Sequence, residues 1–375
     1  MSSPLRVAIL TPNLTLGGAE RWVLSLVRHF DPAQVVVTGV IVSGWGGIDT
    51  GMSREARLVT TLHSHNPGGR PEHARAYDPE GVQMHESLPA AIAYVCQTAD
   101  VLLSWGDPSL GSVLPPGLPI PCVLTSHTTI DNDKQRPMHP QITHFAAVSQ
   151  AAAAYFAGRA GSDGQPVTVI HNGAETWRLS PSRTRAEMRQ QWGWSATDVV
   201  IGYVGRFCAE KNPGAAMRAL SQLPAHFKAV HYGDPGHPSY TVTPALQAQA
   251  GACGGRAQLH VPVNQVGDVF HAVDVLMLAS QREAASLTLL EAWLCGVPVV
   301  ATPVGSVPEL EAVHGQLTIP VGLAATAEEL AAAVLLATGK VGQAIAHKTR
   351  TLAWSNFTAE QMAANWAAYL QTLVR

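Results

Sequence analysis

The chain has 375 residues, 46% of them hydrophobic and 14% charged, which excludes a mini-protein and a disordered chain and predicts two folded domains of roughly 150–200 residues. With 24 Lys+Arg against 27 Asp+Glu, a formal charge of -3, no overall positive field exists to hold a phosphate polymer or an acidic bilayer, so nucleic-acid binding is set aside. The five cysteines, Cys96, Cys122, Cys208, Cys253 and Cys295, are an odd number with no CxxC pair and fit reduced thiols in the cytoplasm.

The first apolar run, residues 5–10, is too short for a signal-peptide core and reads as a strand. After the Gly17-Gly18 turn, Trp22, Leu26 and Phe30, with Val23 and Val27, recur every four residues and predict a helix with one apolar face; residues 35–42 predict the second strand. Residues 44–79 are rich in Gly, His, Arg and Pro and read as an extended loop; their His63 and His65 have no third ligand at a telling spacing. Runs at 101–104, 122–125, 145–148 and 167–170 then alternate with helix-compatible stretches at 88–97 and 150–158, which predicts a parallel sheet covered by helices.

The pattern restarts after Asn172-Gly173. A helix ends near Trp192, and strands follow at 199–204, 229–232, 275–278 and 297–301. The fold class is α/β, with two doubly wound Rossmann-like domains, 1–176 and 177–356, facing a central cleft, and ligands are expected beyond the carboxyl ends of the strands. Residues 357–375 open with a capping box, Thr358 with Gln361, and a staple between Phe357 and Met362. Met362, Trp366, Tyr369, Leu370 and Leu373 then follow a 3.6-residue period and need an apolar surface. No run of about 18 apolar residues occurs, so no segment spans a bilayer, and at most a peripheral membrane contact is expected.

Three segments carry the chemistry. In the first, Glu283 and Glu291 stand eight residues apart, after an apolar strand and before Cys295-Gly296-Val297-Pro298, which stops a helix. Ser286 is the expected N-cap of a helix from Leu287 to Cys295, whose first amides suit an anion. The two acids suit sugar hydroxyls; each taken singly also fits a surface position, and replacement of Glu291 is expected to leave the fold intact. In the second, Gly202 to Pro213, Arg206 and Lys211 follow a strand; Lys211 is one of only five lysines in the chain. A guanidinium fork and a point charge suit phosphate oxygens, and pairing with Glu210 is the other reading. In the third, Gly17 and Gly18 let a ligand approach the backbone, although GxGxxG is not met. Asp131-Asn132-Asp133 reads as a polar loop, and no metal site is assigned.

In this order GGAE (17–20), SHTTID (126–131), AVS (147–149), VIHNG (169–173), GYVGRFCAEKN and the EX7E segment followed by GVPVVATPVGSVPEL resemble the retaining glycosyltransferases of family 4, which have the GT-B architecture, over most of the chain. The resemblance implies that Arg206 and Lys211 bind the donor diphosphate, with the amides at Ser286 and Leu287 beside them. It implies that Glu291 holds the ribose hydroxyls and Glu283 those of the transferred sugar, that Gly17 and Gly18 approach diphosphate and sugar, and that His127 hydrogen-bonds the sugar near its anomeric carbon. The backbone near Gly233 and Val261 would line the base pocket, and the last helix would cross back onto the N-terminal domain. Two departures, Ala284-Ala285 in place of a glycine-containing stretch and Gly305-Ser306 in place of paired glycines, bear on the identity of the sugar. The implied activity is retaining, metal-independent transfer from a UDP- or GDP-sugar to a hydroxyl acceptor, glycan, lipid-linked or small-molecule. No cofactor is required. The N-terminal domain, with Trp45 or Trp105 as a stacking surface, would bind the acceptor. An epimerase or phosphorylase of the same architecture, and a non-catalytic nucleotide-sugar-binding protein, are the alternatives.

Overall fold

A computed structural model describes residues 3–11, 17–42, 74–78, 81–85, 92–93, 96–105, 114, 117–129, 137–233 and 243–374, with the side chains of 42, 74–78, 81–85 and 243 excepted. His63, His65, Trp45, Asp131 to Asp133 and most of the expected helix at 88–97 lie outside the described residues. The chain forms two compact units, residues 1–173 with 359–375 and residues 174–358.

The first unit holds a sheet in the order β4-β3-β2-β1-β5-β6-β7-β8. Its strands are β1 (Leu5–Thr11), β2 (Val35–Val42), β3 (Ala74–Asp78), β4 (Gly81–His85), β5 (Val101–Trp105), β6 (Cys122–Ser126), β7 (His144–Ala147) and β8 (Val167–Val169). β1 is central and buried on both faces apart from Arg6, which explains its continuous apolar run. β1, β2 and β5 to β8 pair in parallel, whereas β3 pairs antiparallel with β2 and with β4. This hairpin corrects the expectation of a loop over 44–79 and of an all-parallel sheet: the register depends on backbone pairing to an edge that the mixed Ala-Arg-Ala-Tyr-Asp composition does not announce. Helix α1 (Gly18–His29) lays Trp22, Val23 and Leu26 on one face of the sheet. Helix α2 (Gln150–Ala153), N-capped by the Ser149 hydroxyl, runs into a 3₁₀ turn, Ala154–Phe156.

The second unit is built on the parallel order β11-β10-β9-β12-β13-β14: β9 (Val199–Val204), β10 (Phe227–Tyr232), β11 (Ala257–His260), β12 (Val275–Leu278), β13 (Val299–Ala301) and β14 (Ile319–Pro320). Its helices are α3 (Arg185–Gln191), α4 (Ala215–Leu220), α5 (Thr243–Ala252), α6 (Gly267–Ala272), α7 (Leu287–Cys295), α8 (Val307–His314), α9 (Ala327–Thr338) and α10 (Lys340–Asn356). Apolar clusters cover both faces of the sheet. Capping boxes open α3, Thr184 with Glu187, and α9, Thr326 with Glu329.

The last helix, α11 (Ala359–Thr372), belongs to the first unit. Met362, Trp366, Ala367 and Leu370 enter the core that contains Val7, Ile9 and Trp22, and Trp366 meets Trp22 edge-on at 5.2 Å. The units divide at 173/174 and 358/359 instead of 176 and 356, because Ala174 forms a parallel bridge with Thr358 and Phe357 sits in the second unit's core with Trp293. The expected staple partners therefore go to different cores, Phe357 to the second and Met362 to the first. All five cysteines are free thiols. Among the described residues no single helix is long and apolar enough to cross a membrane.

Candidate functional site

In a doubly wound sheet the two loops at the point where strand order reverses diverge and leave a crevice beyond the strand ends. In the second unit that point lies between β9 and β12. The loop after β9 carries Arg206, Glu210 and Lys211; the loop after β12 carries Ser280, Glu283 and Ser286. The sequence has placed its two strongest motifs on the two sides of one switch point.

The loops are laced together. The Gln281 amide donates to the Glu210 carbonyl at 2.7 Å, and Asn212, left-handed at φ 48°, donates through Nδ2 to the Ala279 carbonyl at 3.0 Å. Lys211 Nζ lies 2.7 Å from one oxygen of Glu283 and 3.4 Å from Glu210, while the Ser280 hydroxyl donates to the other oxygen of Glu283 at 2.8 Å. Arg206 is the more exposed cation, 3.8 Å from Glu210. Lys211 is thus paired with acids, Glu210 among them, and its side chain keeps 17% exposure. His231, buried in β10, bonds through Nε2 to the Pro213 carbonyl at 2.8 Å and braces the end of the cation loop. Pro213 precedes Gly214, the N-cap of α4.

Helix α7 spans the residues expected of it. Ser286 caps it, its hydroxyl accepting from the Leu289 amide at 3.3 Å, and Gly296 ends it in the left-handed region. The Thr288 hydroxyl donates to the Val204 carbonyl at 3.3 Å, which fixes the helix start beside the end of β9. The first amides of α7 lack intrahelical acceptors and carry the positive end of the dipole. Gly305 faces this loop at φ +62°, and a Cβ there would stand 2.8 Å from Glu283 Cβ and 2.9 Å from the Ala284 carbonyl oxygen; only glycine meets both the conformation and the contact.

Glu291 departs from expectation. It is 4% exposed, and its carboxylate pairs at 2.5 Å with Arg178, whose side chain is 5% exposed. A buried charge is tolerated because it is paired. Sequence reasoning missed Arg178: it sits in a short 3₁₀ turn, Thr176–Leu179, where no periodicity or motif spacing marks it. The Gly233 amide donates to the His260 carbonyl at 3.0 Å, and a Cβ on Gly233 would lie 2.1 Å from the Gly205 carbonyl oxygen. Val261 follows β11 and is 66% exposed.

The first unit has its own switch point, between β1 and β5. There the Trp105 indole N–H donates to the Thr11 hydroxyl at 2.9 Å. His127, directly after β6, lies edge-on to Trp22 at 4.7 Å and to Trp105 at 5.8 Å, and its Nε2 is buried without a hydrogen-bond partner. Gly17 is the N-cap of α1, and a Cβ there would fall 2.0 Å from a carboxylate oxygen of Glu20. Gly18 is exposed at the helix start. Among the described residues no cluster of three or more His, Cys, Asp or Glu has metal-binding geometry.

Burial pushes His127 down to about 3 and His231 down to about 4. The native state therefore refuses protons that the unfolded chain takes up below about 6.5, so stability is fully present above that pH and declines as pH falls from 6.5 toward these values. Thermal melts should show lower transition temperatures at pH 5 than at pH 7.5, and a His231→Gln variant should show a shallower decline; equal slopes would contradict the assignment.

Residues 16–178 match the family model Glycosyltransferase Family 4, and residues 198–338 match Glycosyl transferases group 1. Among curated proteins, the D-inositol 3-phosphate glycosyltransferase of Xylanimonas cellulosilytica is 31% identical over 155 residues, 39% of this chain and 37% of that one. Its namesake from Mycobacterium marinum is 30% identical over 151 residues, 39% and 32% of the two chains. The chain thus spans about a third of the length of these relatives. Among solved structures, the Anabaena protein HepE in complex with UDP and glucose superposes with a TM-score of 0.70 at 19% identity, over 98% of this chain and 100% of that one. Sucrose-phosphate synthase from Thermosynechococcus elongatus gives 0.72 at 16% identity over 98% and 99%. With two matched domains in tandem and these structural neighbours, the chain has the GT-B fold and carries a glycosyltransferase family 4 domain followed by a glycosyl transferases group 1 domain.

Proposed function

We propose that the protein moves a sugar, with retention of anomeric configuration, from a UDP- or GDP-sugar to a hydroxyl acceptor without a metal ion. The observation that carries this reading is the convergence of Arg206, Lys211, Glu283 and the start of α7 on one switch point. Arg206, Lys211 and the first amides of α7 hold the diphosphate, and Glu283 and Glu291, the ends of the EX7E motif, hold the transferred sugar and the ribose. Gly233 and Val261 line the base. Gly17, Gly18 and His127 of the first unit serve the transferred sugar, and that unit holds the acceptor. The names of these relatives, D-inositol 3-phosphate glycosyltransferases, make a phosphorylated polyol the first acceptor to try. The free thiols fit a cytoplasmic setting.

The chemistry follows from charge. The anomeric carbon–phosphate oxygen bond breaks, the acceptor oxygen bonds to the same face of that carbon, and the acceptor's proton passes to the departing phosphate oxygen. The sugar gains positive charge and the diphosphate negative charge, and the two cations with the helix amides stabilise the latter without reorganising. Lys211 is then shared between Glu283 and phosphate, so the sugar-binding acid and the leaving-group cation are aligned by the same bond. His127, neutral at working pH, serves as a hydrogen-bonding group and not as an acid.

Incubation with UDP- and GDP-sugars, with and without inositol phosphate and simple glycoside acceptors and with EDTA present, tests this. Acceptor-dependent product of retained configuration is expected. Turnover of the donor sugar without acceptor, or binding with no transfer at high enzyme concentration, would replace the reading with epimerisation or with nucleotide-sugar sensing.

A further inference from the structure

Arg178 lies outside every motif that marks the donor site, yet it joins two parts of it. Its Nη1 bonds one oxygen of Glu291 at 2.5 Å, and its Nε donates to the Asn264 carbonyl at 3.0 Å. Asn264 belongs to the loop between β11 and α6, which also carries Val261. The same loop is tied a second time, Gln265 Nε2 donating to the Trp177 carbonyl at 3.0 Å and to that of Ser180. The turn at 176–180 is therefore a bracket under both the helix that carries Glu291 and the loop after β11.

We propose that Arg178 is a positioning residue for the nucleoside half of the donor: its guanidinium holds one carboxylate oxygen of Glu291 and the Asn264 carbonyl at once, directing the other Glu291 oxygen to the ribose hydroxyls. This rests on the reading of Glu291 as the ribose acceptor. The physical ground is twofold. A buried ion pair adds little net stability over an apolar pair of the same volume, so one retained at a site gains its value from the direction it imposes. A planar fork can fix two acceptors in different directions, which a lysine ammonium on a flexible stem does not do. The diphosphate, gripped from the β9 and β12 loops, is independent of this bracket.

The test is calorimetric titration of the full chain with UDP and GDP, each beside its 2′-deoxy and 3′-deoxy counterparts, and with inorganic pyrophosphate, in the parent and in the Arg178→Lys and Arg178→Gln variants, folding checked by circular dichroism. In the parent, loss of a ribose hydroxyl should weaken the preferred diphosphate by about tenfold or more, the scale of a hydrogen bond to a charged group. In the variants that discrimination should shrink toward unity while pyrophosphate binds as before, an outcome that a merely structural role would not produce. Arg178→Lys keeps the charge and so keeps the comparison available if the glutamine variant does not fold. Parent-level discrimination in a folded variant overturns the role of Arg178 and leaves Glu291 as the ribose acceptor. A parent that binds neither diphosphate, or does not tell ribose from deoxyribose, overturns both.

Discussion

Glu291→Ala will destabilise the second unit by roughly 3–5 kcal/mol, the cost of leaving a buried charge without its partner. The stranded group is Arg178, 5% exposed, with one acceptor left at the Asn264 carbonyl. For a unit of this size each kcal/mol moves the melting temperature by about 2–4 °C, so the shift is easily read in a thermal melt. The double change Arg178→Met with Glu291→Leu should recover much of the loss, because two apolar groups need no partner. A single variant that melts with the parent would show that the pair is not closed in solution. The expectation from sequence, that Glu291 can be removed with the fold intact, is corrected by this burial. Any loss of donor use in Glu291→Ala will mix binding with folding, and Glu291→Gln, which keeps the shape and an oxygen acceptor, is the cleaner probe.

Lys211→Ala should have the larger effect on turnover. Removing one preorganised donor from developing negative charge typically costs about 10²–10³ in rate, and kcat/KM should fall on that scale. Stability should fall as well, because the pair with Glu283 is largely buried, the two side chains being 17% and 10% exposed, although Glu283 keeps the Ser280 hydroxyl. Steady-state kinetics with the accepted nucleotide sugar, beside a melting curve, separate the two quantities. A folded variant within about threefold of parental kcat/KM would remove Lys211 from the leaving-group site, since the expected loss is far larger.

What could be read from sequence was whatever leaves a local signature. The buried parallel strands announce themselves as apolar runs because both faces are covered; β9, β12 and the bounds of α7 fall where the pattern puts them. Ser286, Gly296 and Pro298 mark the ends of α7 through capping chemistry that acts within one turn. The Arg206, Lys211 and Glu283 group was legible because each motif directly follows an apolar strand, and the two strands, β9 and β12, flank one switch point. Arg178 was not: its partners are 86 and 113 residues away, and a contact of that range has no periodicity. The β3–β4 hairpin was missed for a related reason: its antiparallel pairing with β2 is made by the backbone, and neither five-residue segment is a continuous apolar run. The strand β11, Ala-Gln-Leu-His, and the helices α9 and α10 also went unread, the first being short and of mixed polarity.

The bridge between Ala174 and Thr358 and the docking of α11 among Trp22, Val7 and Ile9 make the second unit an insertion into the first. On a ribosome, the polypeptide for residues 174–358 is complete and can close its own core while the nascent first unit still waits for Trp366. The portion encoded first thus finishes last, and until α11 has emerged its β-sheet keeps an uncovered apolar face where that helix will settle.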